Sequence, residues 1–289
     1  MEIAVQLVIA GILQGGVYAL AAFGLSLIFG VSDVLNLAHG EFLMLGGLFT
    51  FLLFSATGLN PFLIGLMMVP FAFFLGYIFD RFLMRPLANK KEHIRLMSSI
   101  LVTLGAALCI ADVTSFLAGA EEKGVDYTLP SFFWGDIYIS YLRLLAMIMI
   151  AALTVGIHFY LKKTFTGRAL RATTQNIRGA MLVGVDTRRI RSVTFGIGSV
   201  LASIAGVFYV VLLSIAPDMG LGVTIKYLCI IVLGGLGNVK GTLIASLLLG
   251  VVEAFGTIYI GSILDRDAIA FAFLIVVLMV RPQGLFAGK

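Results

Sequence analysis

Nine apolar segments divide this chain, at roughly 3–30, 42–57, 61–84, 96–118, 141–161, 192–213, 223–236, 241–260 and 268–280. A helix needs about 20 apolar residues to cross a bilayer core, and a barrel strand about ten. The runs are therefore read as helices of an all-α, multi-pass membrane protein with eight or nine transmembrane helices in one domain, 1–289. The second, seventh and ninth segments are short, which predicts broken or re-entrant helices. Composition agrees: 60% hydrophobic and 12% charged residues leave too little polar surface to stay in water, where a soluble domain has about 25% charged residues. This excludes a soluble enzyme, a disordered tail and a disulfide scaffold. Cys109 and Cys229 lie inside apolar runs and predict no disulfide. Met1-Glu2-Ile3 lacks a basic leader, so the first span is expected to be retained.

Charge sets the orientation. The link after the third segment carries Arg85, Lys90, Lys91 and Arg95, and the link at 162–191 carries eight Lys and Arg. The loop at 119–140 has Glu121, Glu122, Asp126 and Asp136 against Lys123. With nine spans and the N-terminus outside, sixteen of the 20 Lys and Arg fall in the cytoplasm, as the positive-inside rule requires. Basic residues lying between apolar spans do not form the solvated face that nucleic acid needs. Phe132, Phe133, Trp134 and Tyr138 in the outer loop suit an interfacial aromatic belt.

Segments 1–4 and 6–9 form two halves of opposite orientation around segment 5, the inverted-repeat plan of many transporters. The short segments 2 and 7 then correspond. Each follows a polar break, Gly30-Val31-Ser32-Asp33 and Pro217-Asp218-Met219-Gly220. Paired interruptions of this kind mark a transport site.

Catalytic chemistry is missing. The run Gly234-Gly235-Leu236-Gly237-Asn238-Val239-Lys240-Gly241 lacks the Lys-Ser/Thr ending of a phosphate loop. If ATP drives this protein, another chain hydrolyses it. His39, His93 and His158 are scattered, with no metal-ligand spacing, and no Ser-His-acid motif occurs. No catalytic residue, metal or cofactor is expected. Asp112 and Glu253 lie inside apolar segments and are read as interhelical hydrogen-bonding groups. Asn36, His39 and Glu41 at the opening of segment 2, with Pro217 before segment 7, are the candidate translocation-path residues. A half-helix N-terminus there would offer open N–H groups to a substrate carboxylate. The competing reading is a capped cytoplasmic loop.

A bare link of roughly 30 residues at 162–191 would be unusual. The spacing predicts one short amphipathic helix, capped by Thr173 or Thr174. Ile177, Met181 and Gly184 lie on one side, and Gly184 ends it. Flanked by arginines, this helix suits a cytoplasmic partner or anionic lipid.

At these residues the chain resembles the branched-chain amino acid ABC transporter permeases of the LivH/LivM type, nearer the LivH pattern. The matching segments are Gly167-Arg168-Ala169-Leu170-Arg171-Ala172, Gln175-Asn176 and Ala180-Met181-Leu182-Val183-Gly184-Val185-Asp186. Asn36-Leu37-Ala38-His39-Gly40-Glu41-Phe42, Leu233 to Thr242, and Arg281-Pro282-Gln283-Gly284-Leu285-Phe286 complete the pattern. Ile177-Arg178 departs from it, since the family often has Pro and an acidic residue there. The resemblance implies a multi-pass importer subunit of the bacterial inner membrane. It implies a second permease of similar fold, two cytoplasmic ATPases and a periplasmic binding protein as partners. It makes Arg171, Gln175, Asn176, Ala180, Met181, Leu182 and Gly184 the coupling residues toward the ATPase. The alternative is a secondary carrier or channel acting alone.

Overall fold

A computed structural model of the chain describes residues 2–88, 90–134, 137–261, 263, 266–281 and 284–285. Nine described helices follow the nine apolar segments: α1 (Glu2–Ser32), α2 (His39–Thr57), α3 (Pro61–Phe79), α4 (Glu92–Ala118), α5 (Tyr141–Lys163), α8 (Thr187–Leu212), α9 (Met219–Gly234), α10 (Val239–Tyr259) and α11 (Arg266–Val280). Two more, α6 (Phe165–Gln175) and α7 (Ile177–Leu182), lie in the link. Between α4 and α5 sits a small antiparallel hairpin, β1 (Ser131–Trp134) and β2 (Ile137–Ser140), in register Ser131 to Ser140. The side chains of Phe132, Phe133, Trp134 and Tyr138 fall outside what the structure describes, as do Pro282, Gln283 and Phe286.

Local chemistry sets the boundaries. Asn60 caps α3, its Oδ1 accepting from Phe62 N–H at 2.9 Å, with Pro61 in the first turn. Asp186 caps α8 by accepting from the N–H groups of Arg188 and Arg189, both at 3.1 Å. Among the described residues, seven helical spans are long and apolar enough to cross a membrane. With 16 and 15 residues, α9 and α11 reach only about 24 and 22 Å, short of a hydrocarbon core about 30 Å thick.

The packing follows the two halves. α1 lies against α10 along its length, and α3 lies against α8 in the same way. α1 also meets α8, and α2 meets α9. Pairing α1 with α8, α2 with α9 and α3 with α10 as counterparts maps each of these contacts onto another or onto itself, the relation expected of inverted halves. Small residues bring the backbones together. Gly11 and Gly15 of α1 lie on Gly250 and Ser246 of α10, and Gly76 of α3 lies on Phe195 and Ser199 of α8. In a bilayer, where lipid is as apolar as leucine, such close packing drives helix association. α4 and α5 are the least buried of the long spans.

Candidate functional site: a crossing of two broken helices

After α1 ends at Ser32, Asp33 turns the chain with φ of +48°. Residues 33–38 are not helical. They run back into the bundle, because His39 Nε2 donates to the Ala21 carbonyl of α1 at 2.9 Å. Ala21 lies three turns before the end of α1, roughly 16 Å back along its axis. Irregular backbone at such depth survives only when protein satisfies its polar groups, and here it does. Leu37 N–H donates to Thr103 Oγ1 of α4 at 3.0 Å, and Ala38 N–H donates to Asn36 Oδ1 at 3.1 Å. Asn36 and His39 are fully buried, and Glu41 is 1% exposed. They sit inside the bundle, covered by the rest of the chain.

The second break, 213–218, leads into α9. Ile215 exchanges two backbone hydrogen bonds of 2.8 Å with Lys123, and Pro217 is buried. The starts of α2 and α9 then cross. Gly40 N–H donates to Thr224 Oγ1 at 2.7 Å. A Cβ at Gly40 would run into the Gly220 carbonyl, and one at Gly220 would run into the Glu41 carboxylate. The first contact is backbone on backbone and admits only glycine, whereas the second closes on the end of a side chain, which would have to move.

The sequence-predicted residues Asn36, His39, Glu41 and Pro217 therefore flank one crossing. One expectation about it is corrected. The first-turn N–H groups of α2 are not open to a carboxylate. Thr224 takes that of Gly40, Asn36 O that of His39, and Ala38 O that of Glu41. On the α2 side of the crossing, Asn36 Nδ2, His39 Nδ1 and Glu41 Oε2 are buried with no hydrogen-bond partner among the described residues.

Sequence reasoning missed a charged network beside this crossing. Lys226 of α9 is 5% exposed at its side chain, and its Nζ lies 3.2 Å from Glu253 Oε1 of α10 and 2.5 Å from Asp267 Oδ1 of α11. Tyr18 OH of α1 donates to Glu253 Oε2 at 2.7 Å and accepts from Gln14 Nε2. Lys226 Nζ also lies 5.2 Å from the centre of the Tyr18 ring. Lys226 lies in an apolar segment flanked by Thr224 and Tyr227, and only that lone cation in an apolar run could have flagged it. Glu253 is the interhelical partner expected of it. Asp112 is not: it is exposed on α4 and forms no ion pair among the described residues.

The link forms two helices where one was expected. Thr164 caps α6, accepting from Gly167 N–H at 3.1 Å. Thr173 and Thr174, expected as caps, sit inside α6 and donate to the carbonyls of Ala169 and Leu170. The cap of α7 is Asn176, whose Oδ1 accepts from Gly179 N–H at 2.8 Å. Gly184, with φ of +83°, closes α7. Val185 N–H reaches Ala180 O and Gly184 N–H reaches Met181 O, both at 3.0 Å, the Schellman arrangement that favours glycine. Ala180, expected on the docking face, is buried. The exposed tip is Ile177, Met181, Leu182 and Val183, with Leu182 89% exposed. Arg171 and Gln175 lie apart from this tip, lining a cavity against Gly237–Lys240.

Comparison with known proteins identifies what this architecture belongs to. A family model described as "Branched-chain amino acid transport system / permease component" matches residues 7–280. The high-affinity branched-chain amino acid transport system permease protein BraD of Pseudomonas aeruginosa is 31% identical over 97% of this chain and 94% of its own length. LivH of Escherichia coli K12, with the same description, is 30% identical over 95% and 92%. A probable LivH of Methanocaldococcus jannaschii is 24% identical over 95% and 90%. Among solved structures, a chain of PsaBC from Streptococcus pneumoniae in complex with Fab shares the fold, with a TM-score of 0.51 at 13% identity, over 95% of this chain and 91% of that one. With a family model matched over residues 7–280 and a relative 31% identical over 97% of the sequence, the chain belongs to the branched-chain amino acid transport permease family.

Proposed function

We propose that this chain forms half of the membrane path of an ATP-driven importer for branched-chain or related amino acids, in the inner membrane of a bacterium. A second permease of similar fold supplies the other half. Two cytoplasmic ATPases hydrolyse ATP, and a periplasmic binding protein delivers the solute. The observation that carries the reading is α7. An exposed apolar tip on a basic link, in a chain with no nucleotide motif, needs a cytoplasmic partner.

The coupling route runs through covalent and packed neighbours. α7 passes directly into the Asp186 cap of α8, and Ser203 of α8 donates to the Phe42 carbonyl of α2 at 2.9 Å. A displacement of α7 by an ATPase therefore reaches the crossing of α2 and α9. Asn36, His39, Glu41 and Pro217 hold that crossing. Each is buried in its own chain, so they set the shape of the path rather than grip the solute. Weak contact suits an importer that must release its cargo, and solute choice rests with the binding protein.

The test is uptake by proteoliposomes holding the full complex, with ATP inside and binding protein outside. Met181→Glu with Leu182→Glu should lower uptake and binding-protein-stimulated ATP hydrolysis at least tenfold while the permease stays folded. Unchanged uptake removes α7 from the mechanism. Uptake by this chain without ATPase or binding protein would establish a carrier acting alone.

A further inference from the structure

Two cavities lie along one cleft, between α5 and α10 with α1 as its floor. The first, of about 290 Å³, is bordered by Gly16 of α1, Ile150 and Val155 of α5, and Leu247 of α10. Its walls are apolar apart from Thr154. The second, of about 520 Å³, lies next along α1, α5 and α10 at the end where α1 and α5 stop, with α6 as a further wall. Leu27, Leu161 and Leu170 line its inner part, and Lys162, Arg171 and Lys240 its rim. These cations come from α5, α6 and α10. No carboxylate lines the cavity, and none of the three cations forms an ion pair among the described residues. The Arg171 guanidinium has one hydrogen bond, to the Lys162 carbonyl at 3.3 Å.

We propose that this cleft holds one anionic phospholipid. Its phosphate sits among Lys162, Arg171 and Lys240, and one acyl chain runs along Leu161, Ile150 and Leu247. The shape of the charge decides the occupant. A free phosphate would use the basic end and leave the apolar one empty. A zwitterionic lipid would bring its own ammonium beside its phosphate, and so offset three cations less well than a headgroup with net negative charge. A protein helix would need carboxylates at one end only. Basic pockets between membrane helices hold anionic headgroups in this way. A Lys or Arg at an anionic membrane surface contributes about 1 kcal/mol, and on that scale each charge changes affinity about fivefold. The orientation proposed above places the basic end at the cytoplasmic leaflet. The binding itself does not depend on what the chain transports.

The test uses the full chain in nanodiscs of phosphatidylcholine mixed equally with phosphatidylglycerol. Native mass spectrometry counts the lipids retained on release, and titration of a fluorescent phosphatidylglycerol gives an affinity. One phosphatidylglycerol should stay bound per chain. Lys240→Gln, at an exposed position, should weaken it about fivefold. Lys162→Ala, Arg171→Ala and Lys240→Gln together should weaken it about a hundredfold. Ala151→Trp, filling the apolar end, should also expel it. Equal retention of phosphatidylcholine, or an unchanged affinity in Lys240→Gln and in the triple variant, overturns the proposal. So does displacement by inorganic phosphate with no effect of Ala151→Trp, the signature of an adventitious ion only. Loss of the lipid when a second permease copy binds would assign the cleft to a protein interface and overturn it as well.

Discussion

Replacing Lys226 by Met tests the buried network most sharply. The Lys226 ammonium is shared between Glu253, whose side chain is 0% exposed, and Asp267, whose side chain is 59% exposed. Removing it leaves Glu253 uncompensated inside the bundle. Breaking a buried ion pair from one side costs about 3–5 kcal/mol. Glu253→Gln should cost less, about 1–3 kcal/mol, because Gln still accepts from Tyr18 and Lys226 keeps Asp267. Asp267→Asn, at the wet end, should cost about 0–1 kcal/mol. The double change Lys226→Met with Glu253→Gln should be less destabilising than Lys226→Met alone, since no charge is then stranded. Unfolding of the purified chain in mixed micelles, titrated with a denaturing detergent, gives the four values. Equal losses for Asp267→Asn and Lys226→Met would refute the reasoning, as would additive losses in the double variant.

At the crossing, Gly40→Ala should cost about 1–3 kcal/mol in the same unfolding assay, because a methyl group meets a backbone carbonyl, and Gly220→Ala should cost less, because it meets the end of the Glu41 side chain, which can turn aside. Asn36→Ala and His39→Ala should reduce uptake while the complex still forms, as measured by transport and co-purification side by side. Asn176→Ala removes the cap of α7 and should cost about 1 kcal/mol locally, read as faster amide exchange at Gly179 and Ala180. Single cysteines at Glu122 and Arg189, both exposed positions, should label from opposite sides of intact cells. Labelling of both from outside would overturn the orientation.

The nine apolar segments were legible as helices because length and apolarity decide membrane helices almost alone, and the structure moves most of their ends by a few residues, though only seven of the described spans reach membrane-crossing length. The position of the breaks was legible too, since polar residues before short segments mark them. The crossing itself was not. Nothing in Asn36 to Glu41 says that His39 reaches back to Ala21, or that Gly40 meets Gly220 180 residues later. Lys226 escaped for the same reason: its partners sit on α10 and α11, and pairing across helices leaves no local spacing. In the link, Thr173 and Thr174 looked like caps because threonine serves that role. Inside α6 they bond back to the preceding turn instead, and Asn176 takes the cap. Ala180 was named among the coupling residues by resemblance, but the structure buries it, and no local spacing in a helix of six residues tells which side is covered.

Where α1 meets α10 and α3 meets α8, main chain lies on main chain at Gly11, Gly15, Gly250 and Gly76. A carbonyl cannot swing aside as a leucine does, so neither pair can slide without first lifting apart. A slip of one turn, about 5.4 Å, would bring larger side chains into the space that only glycine leaves. Each pair therefore acts as a stiff strut that passes on displacement without absorbing it. The compliance of the bundle lies in α4, α5 and α11, which contact the other helices less extensively.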